Sequence, residues 1–522
     1  MSDRWAHVSQ SPTRSDADQA RALTADDLFG TTAPAASPLD ERLRQAYFWL
    51  VNSAIISPFY DVQFSINGPL SYEVGDAGAQ LQLGTDQSYS SNVLLPLLTF
   101  AVGGRCLLIG GPGRGKTTLA VLMGVLAGSA SEEVRRHVVQ GQPQLTVSDL
   151  IGTPLPRDLI EAESLNDVRI AWRSWLSQPV KIIDEYNRIP TKTQSALLTM
   201  VAEGYVESYD QSLSTAGDSG IDSWYFTAND DAGGGTFPVI QALRDRMDVT
   251  VSALGFNSRF LDELISRVEA GDRPEDNLPS ELVFATEDRR TMAKQIRALP
   301  VPVAVRRRLS YFASHFEFAQ HGGRTFEYRT KDTVATAGAD VGEVIDRNSG
   351  ADLEVDPGSQ TTAGISVRAL LVLVHYAKAM AWFRGEPEVT EADVAAVLPF
   401  VLRGKMLPNR SHPRFDGDAD RELALDSVAW LGDLWTESVR QYQALGFEQK
   451  DGVRDLLEQS ATGLDGVTAV ETARRITAVE SMIATIAGTG KLYGRSYDDL
   501  LALKYLHQRY SSYRRWLESS AR

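Results

Sequence analysis

The chain of 522 residues contains one cysteine, Cys106. A single thiol cannot close an intramolecular disulfide, which excludes a stapled secreted scaffold and favours a reducing compartment. Long apolar runs are also missing. The longest, Val93–Val102 and Leu119–Ala127, fall far short of the roughly 18 to 20 residues that span a bilayer. The first 40 residues are polar, with no stretch resembling a signal peptide. A cytoplasmic protein without a membrane span is the expectation. Basic excess is absent too: 52 Lys and Arg stand against 68 Asp and Glu, a net charge of −16. That balance excludes a protein that coats nucleic acid or anionic lipid unspecifically, although a local basic groove is compatible with it. The seven histidines, at positions 7, 137, 315, 321, 375, 412 and 507, show no metal-ligand spacing.

What remains is 43% apolar and 23% charged, the composition of an ordinary globular protein. At about 150 residues per domain the length suggests three or four structural units. Residues 1–38 carry too little apolar material to offset the entropy of ordering and read as a flexible arm. Residues 39–90 form a lead-in: helical spacing from Leu39 to Tyr60 broken at Pro58, then a polar stretch with turn signals at Asn67-Gly68-Pro69 and Gly75-Asp76. Over 91–257 the pattern is α/β. The β-rich runs Arg105–Ile109, Val180–Ile183, Trp224–Ala228 and Val249–Val251 alternate with helical segments, which predicts a parallel sheet with helices on both faces. Residues 258–410 read as a helical domain, with a small β insertion predicted at about 321–363 from alternating runs and an Asn-Ser-Gly turn. Residues 411–522 read as a carboxy-terminal helical extension. Gly488-Thr-Gly-Lys491 reads as a helix stop, and Arg306-Arg-Arg308 as a solvated helix face.

The strongest signal is Gly110-Gly111-Pro112-Gly113-Arg114-Gly115-Lys116-Thr117-Thr118, which contains G-x-x-x-x-G-K-T between an apolar strand and an apolar helix. The glycines let backbone N–H groups curl around phosphate oxygens, and the helix start adds positive potential. Lys116 suits the β- and γ-phosphates, and the Thr117 hydroxyl suits Mg²⁺. About 70 residues on, Val180-Lys-Ile-Ile-Asp-Glu185 ends a strand in two acids. Asp184 there would hold hydrated Mg²⁺ and Glu185 would act as general base toward water, which favours ATP hydrolysis over kinase or switch-GTPase chemistry. Asn229, at the end of Trp224-Tyr-Phe-Thr-Ala-Asn, suits orientation of that water. Arg244 and Arg246 follow in Ala242-Leu-Arg-Asp-Arg-Met. They suit surface ion pairs, or else projection toward the nucleotide of a neighbouring subunit.

These elements in this order resemble the AAA+ ATPases, and more closely their MoxR branch. The stretch Asp184-Glu-Tyr-Asn-Arg-Ile-Pro-Thr-Lys-Thr-Gln-Ser-Ala-Leu-Leu198 is similar to the branch's DE-x-NR segment. Phe226-Thr-Ala-Asn229 through Asp245-Arg246 is similar to its sensor-1-to-finger segment, and Gly364-Ile-Ser-Val-Arg368 to the sensor-2 turn of its helical lid. The resemblance covers roughly residues 90–410. It implies ATP and Mg²⁺ as cofactors, Asp184 and Glu185 as the Walker B pair, Asn229 as sensor 1, Arg368 as sensor 2 and Arg246 as the arginine finger, with Arg244 its competitor. Asp230, Met247, Tyr186 and Ile189 depart from the branch's usual residues without removing a catalytic group. The resemblance also places residues 153–176 in a loop that touches substrate or partner; Trp172 and Trp175 within it read as core.

The resulting expectation is an ATP-driven machine, a hexameric ring with a chaperone-like role on a protein client, in which lid and subunit motion carry the force. A partner with a von Willebrand A domain is part of what the resemblance implies. The rival readings are a nucleic-acid motor, against which the charge argues, a nucleotide-gated scaffold, and a metal-chelatase motor subunit.

Overall fold

Apolar runs without polar alternation suit strands that are covered on both faces. Five such strands form the central sheet: β1 (Arg105–Ile109), β2 (Val139–Gln140), β3 (Val180–Asp184), β4 (Ser223–Ala228) and β5 (Val249–Ser252). In the computed structural model they pair in parallel, in the order β5-β1-β4-β3-β2. The described residues are 38–56, 58–64, 70–76, 79–83, 85, 87–161, 168–217, 220–229, 241–253, 255–346, 356–415, 423, 425–489, 492 and 494–520. The arm expected at 1–38 lies outside them except for Pro38. Central strand β4 is buried along its whole length. Its register sets Ala228 opposite Ile109 and Phe226 opposite Ile183, so the carboxyl ends of three strands finish on one edge of the sheet.

Helices cover both faces. The lead-in forms α1 (Leu39–Trp49), which runs on as a π turn over Leu50–Ala54 and stops short of Pro58, as the helix break there predicts. It is followed by α2 (Ser91–Val102), α3 (Lys116–Leu126), α4 (Thr191–Glu203), α5 (Gln241–Arg246) and α6 (Leu261–Ala270). The helical domain beyond supplies α7 (Thr286–Ala298), α8 (Val303–Ser314), α9 (Val367–Arg384) and α10 (Glu391–Leu402). Local chemistry sets its boundaries. Ser366 caps α9 by accepting from Ala369 N–H, and left-handed Gly385 ends it. Thr390 and Asp393 form a capping box on α10.

One hydrophobic cluster joins the sheet's outer layer to the lid. Leu98 and Phe100 of α2, Leu122 of α3, Met292 and Ile296 of α7, Leu373 and Met380 of α9, and Leu398 of α10 all belong to it. Arg289 of α7 reaches under the sheet, donating to Pro179 O at 3.2 Å and Ser223 Oγ at 2.8 Å while lying 4.7 Å over the Phe100 ring. The opposite sheet face packs a second cluster that includes Leu107, Ile183, Leu197 and Phe226.

The predicted β insertion is corrected. The described residues of 321–363 form two short helices, Lys331–Thr336 and Val341–Asp346, and two 3₁₀ turns, Phe326–Tyr328 and Pro357–Gln360. Their β pairing is limited to isolated bridges from Thr330 to Phe318 and from Thr361 to Pro408. Val341 and Ile345, four apart, pack with Val334 and Ala319 in a small cluster, which is helical spacing. Thr330 caps the first helix through Thr333 N–H. The Asn-Ser-Gly turn lies outside the described residues.

The extension forms α11 (Ser427–Ala444), α12 (Gly452–Ala461), α13 (Ala469–Ala487) and α14 (Gly494–Ser520), with Gly488 closing α13. Val479, Leu503, Leu506 and Tyr510 build its own cluster. Gly494 is pressed against Ser314 O, and Tyr497 Oη donates to Glu327 O at 3.0 Å, tying α14 to the lid. A hairpin of Tyr205–Ser208 with Gln211–Ser214, unread in the sequence, precedes β4. The segment expected to protrude at 153–176 holds a short antiparallel pair, Gly152–Pro154 with Ile170–Trp172. Trp175 is core, stacked edge-on to Trp224 and donating to Leu150 O at 2.8 Å, and Trp172 packs half-buried beside it.

Candidate functional site

Residues that follow parallel strands gather at the sheet's carboxyl edge, the place where such folds bind ligands. Here a cavity of about 420 Å³ opens at that edge. Its lining is Pro112, Gly113, Arg114, Gly115, Lys116, Thr117, Thr118, Asp184, Glu185 and Asn229. The phosphate loop, the paired acids and the strand-end amide expected from the sequence therefore meet in one place.

The loop between β1 and α3 needs its glycines for two different reasons. Gly115 sits at φ 71°, ψ 10°, a left-handed conformation directly before the first turn of α3. A Cβ at Gly110 would lie 2.7 Å from Ala253 O, so a side chain has no room there. Lys116 is 6% exposed, and its ammonium donates to Gly110 O at 2.6 Å, Gly111 O at 2.8 Å and Asn229 Oδ1 at 2.9 Å. A buried cation that donates to loop carbonyls and a side-chain amide is placed where a phosphate can take over those bonds.

Thr117 Oγ1 donates to Asp184 Oδ1 at 3.0 Å. A hydroxyl beside a carboxylate is the hard-oxygen pair that Mg²⁺ takes together with phosphate and water. Among the described residues no group of three or more His, Cys, Asp or Glu is arranged to hold a metal ion. An Mg²⁺ at Thr117 and Asp184 would accordingly complete its shell with phosphate oxygens and water.

Thr227, fully buried on β4, was not singled out by the sequence. Its hydroxyl donates to Asp184 Oδ1 and accepts from Glu185 N–H at 3.0 Å, joining both acids to the neighbouring strand. Glu185 itself is left-handed at φ 51°, ψ 44°, which is costly for a residue with a long side chain. The twist turns its carboxylate into the cavity, where Asn229 Nδ2 donates to Oε1 at 2.6 Å. Asn187 Nδ2 donates to Asn229 O at 3.4 Å, and Arg188 Nη1 lies 3.2 Å from Glu185 Oε2. A signal for Arg188 was present in the Asp-Glu-Tyr-Asn-Arg stretch.

The three arginines expected at the site do not line this cavity. Arg244 is exposed on α5, and Arg246 is half-buried with Nη1 donating to Ala242 O at 2.9 Å. Arg368, exposed on the first turn of α9, is close enough to Asp248 to lower its pKa. Burial has the larger effect and raises the Asp248 pKa overall. Asp248 accepts from Arg105 N–H at 2.8 Å, at the start of β1 and thus at the sheet edge opposite the cavity. Ser366 Oγ donates to Asp245 Oδ1 at 3.0 Å, docking the start of α9 onto α5. The arginines therefore share one region of the surface, remote in the sheet from the nucleotide edge.

Comparison with known proteins agrees with this geometry. Residues 105–249 match the ATPase family associated with various cellular activities (AAA), and residues 358–424 match the AAA lid domain. A solved structure from Cytophaga hutchinsonii, described only provisionally as an ATPase, is similar at 20% identity and a TM-score of 0.46, over 65% of this chain and 88% of that one. No curated protein matches. No helix of the described residues is long and apolar enough to cross a membrane. A five-stranded parallel sheet carrying this phosphate loop, continued by a helical lid, makes residues 105–249 an AAA-family ATPase domain of the MoxR type and residues 358–424 its lid.

Proposed function

We propose that the chain hydrolyses ATP in an Mg²⁺-dependent reaction and does so as a ring of copies that remodels a protein client. The convergence of Lys116, Thr117, Asp184, Glu185 and Asn229 on one cavity, without any of the three arginines, carries this reading. In the proposed reaction the γ-phosphate displaces Asn229 Oδ1 and the loop carbonyls from Lys116, whose ammonium then neutralises charge on the β–γ bridge. Thr117 and Asp184 would hold Mg²⁺, which would supply positive charge to offset that of the phosphates. Glu185 takes a proton from the water that attacks phosphorus, the bond to the β-phosphate oxygen breaks, and ADP and phosphate leave.

Among the lining residues the one guanidinium is that of Arg114, in the phosphate loop, and none of the expected finger and sensor arginines reaches the transferring phosphoryl group. Arg244, Arg246 and Arg368 sit together at the other end of the sheet, so a second copy must supply one of them. Contact between two different surfaces repeats head to tail and closes into a ring when the rotation allows. The continuous cluster joining lid and core supports motion between copies over swinging of the lid within one copy. A hexamer and a von Willebrand A partner complete the proposal on the strength of the resemblance, and a cytoplasmic location on that of the single cysteine and the short apolar runs. The net charge of −16 favours protein over nucleic acid as the client.

The test is ATP turnover as a function of protein concentration, with Lys116→Ala as the control. Turnover per chain should rise with concentration as copies assemble, and Lys116→Ala should remove at least about two orders of magnitude. Full activity in a monomer would end the ring reading, and an unaffected Lys116→Ala would end the ATPase reading.

A further inference from the structure

Arg188 has no part in the reaction outlined above. Its guanidinium nonetheless occupies Glu185 Oε2 at 3.2 Å, while Asn229 occupies Oε1 at 2.6 Å. Two groups thus hold the carboxylate, one on each oxygen. They differ in what ATP does to them. Asn229 lines the cavity and also accepts from Lys116, so a triphosphate that engages Lys116 competes for Asn229 as well. Arg188 is not among the cavity's lining residues and stays out of that competition. The backbone of Glu185 is held independently, by Thr227 Oγ1 on its N–H and by close packing of its carbonyl against Gly141. What remains to be fixed is the side chain, and a long glutamate has costly rotamer freedom to lose. A general base works from one orientation, and a third group commonly sets it.

We propose that Arg188 is a positioning residue for ATP hydrolysis, keeping its hold on Glu185 Oε2 so that Oε1 stays turned toward the attacking water after Asn229 moves to the phosphate. This rests on the ATPase reading. The pair is partly exposed, 45% at Arg188 and 28% at Glu185, so its loss has little effect on folding.

Steady-state kinetics on the full chain test it. Arg188→Ala should lower kcat about tenfold or more while KM and the affinity for a fluorescent ATP analogue stay within about twofold. Arg188→Lys, which keeps the charge, should recover part of the loss. In a Glu185→Gln background Arg188→Ala should change the residual rate no further, because its effect passes through the carboxylate. An unchanged kcat for Arg188→Ala, multiplying losses in the double variant, or loss of assembly in sedimentation would each overturn the proposal. Absence of hydrolysis in the wild type would instead overturn the ATPase reading.

Discussion

Lys331 shows what burial does to a single charge. It is 1% exposed, and its ammonium donates to Gly358 O at 2.5 Å and Thr361 Oγ1 at 2.7 Å, with no carboxylate in hydrogen-bond contact. Desolvation pulls its pKa down to about 8, partly opposed by Asp356 and Glu317. The folded value is therefore below the unfolded one, and between pH 8 and about 10 the unfolded chain binds more protons. Stability should rise with pH through that window. Urea midpoints at pH 7.5 and 9.5 check this, and Lys331→Met should flatten the rise. Neither the lysine's burial nor its partners could be read in advance, since both come from segments about 30 residues away. That the phosphate loop, Asp184 and Glu185 meet at one cavity was legible because G-x-x-x-x-G-K-T and a strand ending in two acids set residue type at fixed spacing. Thr227 was not, because it meets the two acids only across neighbouring strands, and Arg188 carried a signal in the Asp-Glu-Tyr-Asn-Arg stretch without a role attached to it.

At the scale of elements, α7 illustrates how the lid is attached. Arg289 joins it to the underside of β4 and to the 179 carbonyl through two hydrogen bonds and the Phe100 ring. Arg289→Met keeps the stem but removes both of these hydrogen bonds, while Pro179 O keeps its bond from Ser223 N–H, so the chain should lose about 2 kcal/mol, measured by urea denaturation. The main strands and lid helices could be read from apolar runs and caps such as Thr390 with Asp393. The segment 321–363 misled because short polar stretches alternate by chance, while its helical spacing was confined to Val341 and Ile345. The 205–214 hairpin was missed for a related reason: its turn uses Tyr209 and Asp210 at φ 49° and 58°, without the glycine that marks such turns.

For the whole molecule the decisive fact is that the nucleotide residues and the arginines occupy opposite edges of one sheet. A chain lacking Arg244, Arg246 and Arg368 keeps an intact cavity, and a Glu185→Gln chain keeps intact arginines. Each should be nearly inactive alone. Mixed in equal amounts they should regain a substantial part of wild-type turnover, through junctions that combine one good cavity with one good set of arginines. Silence in the mixture would show that each copy completes its own site.

The buried thiol of β1 has a use in following such junctions. Cys106 is fully covered, and burial pushes its pKa far up, so almost none is present as the reactive thiolate. It is the chain's one cysteine. The native protein is thus chemically silent toward maleimides, and a cysteine introduced on the arginine face of one copy and another near the cavity of the next would be the only sites to take a spectroscopic label. The distance between neighbouring copies, and its change through a turnover, can be read without first removing anything from the natural chain.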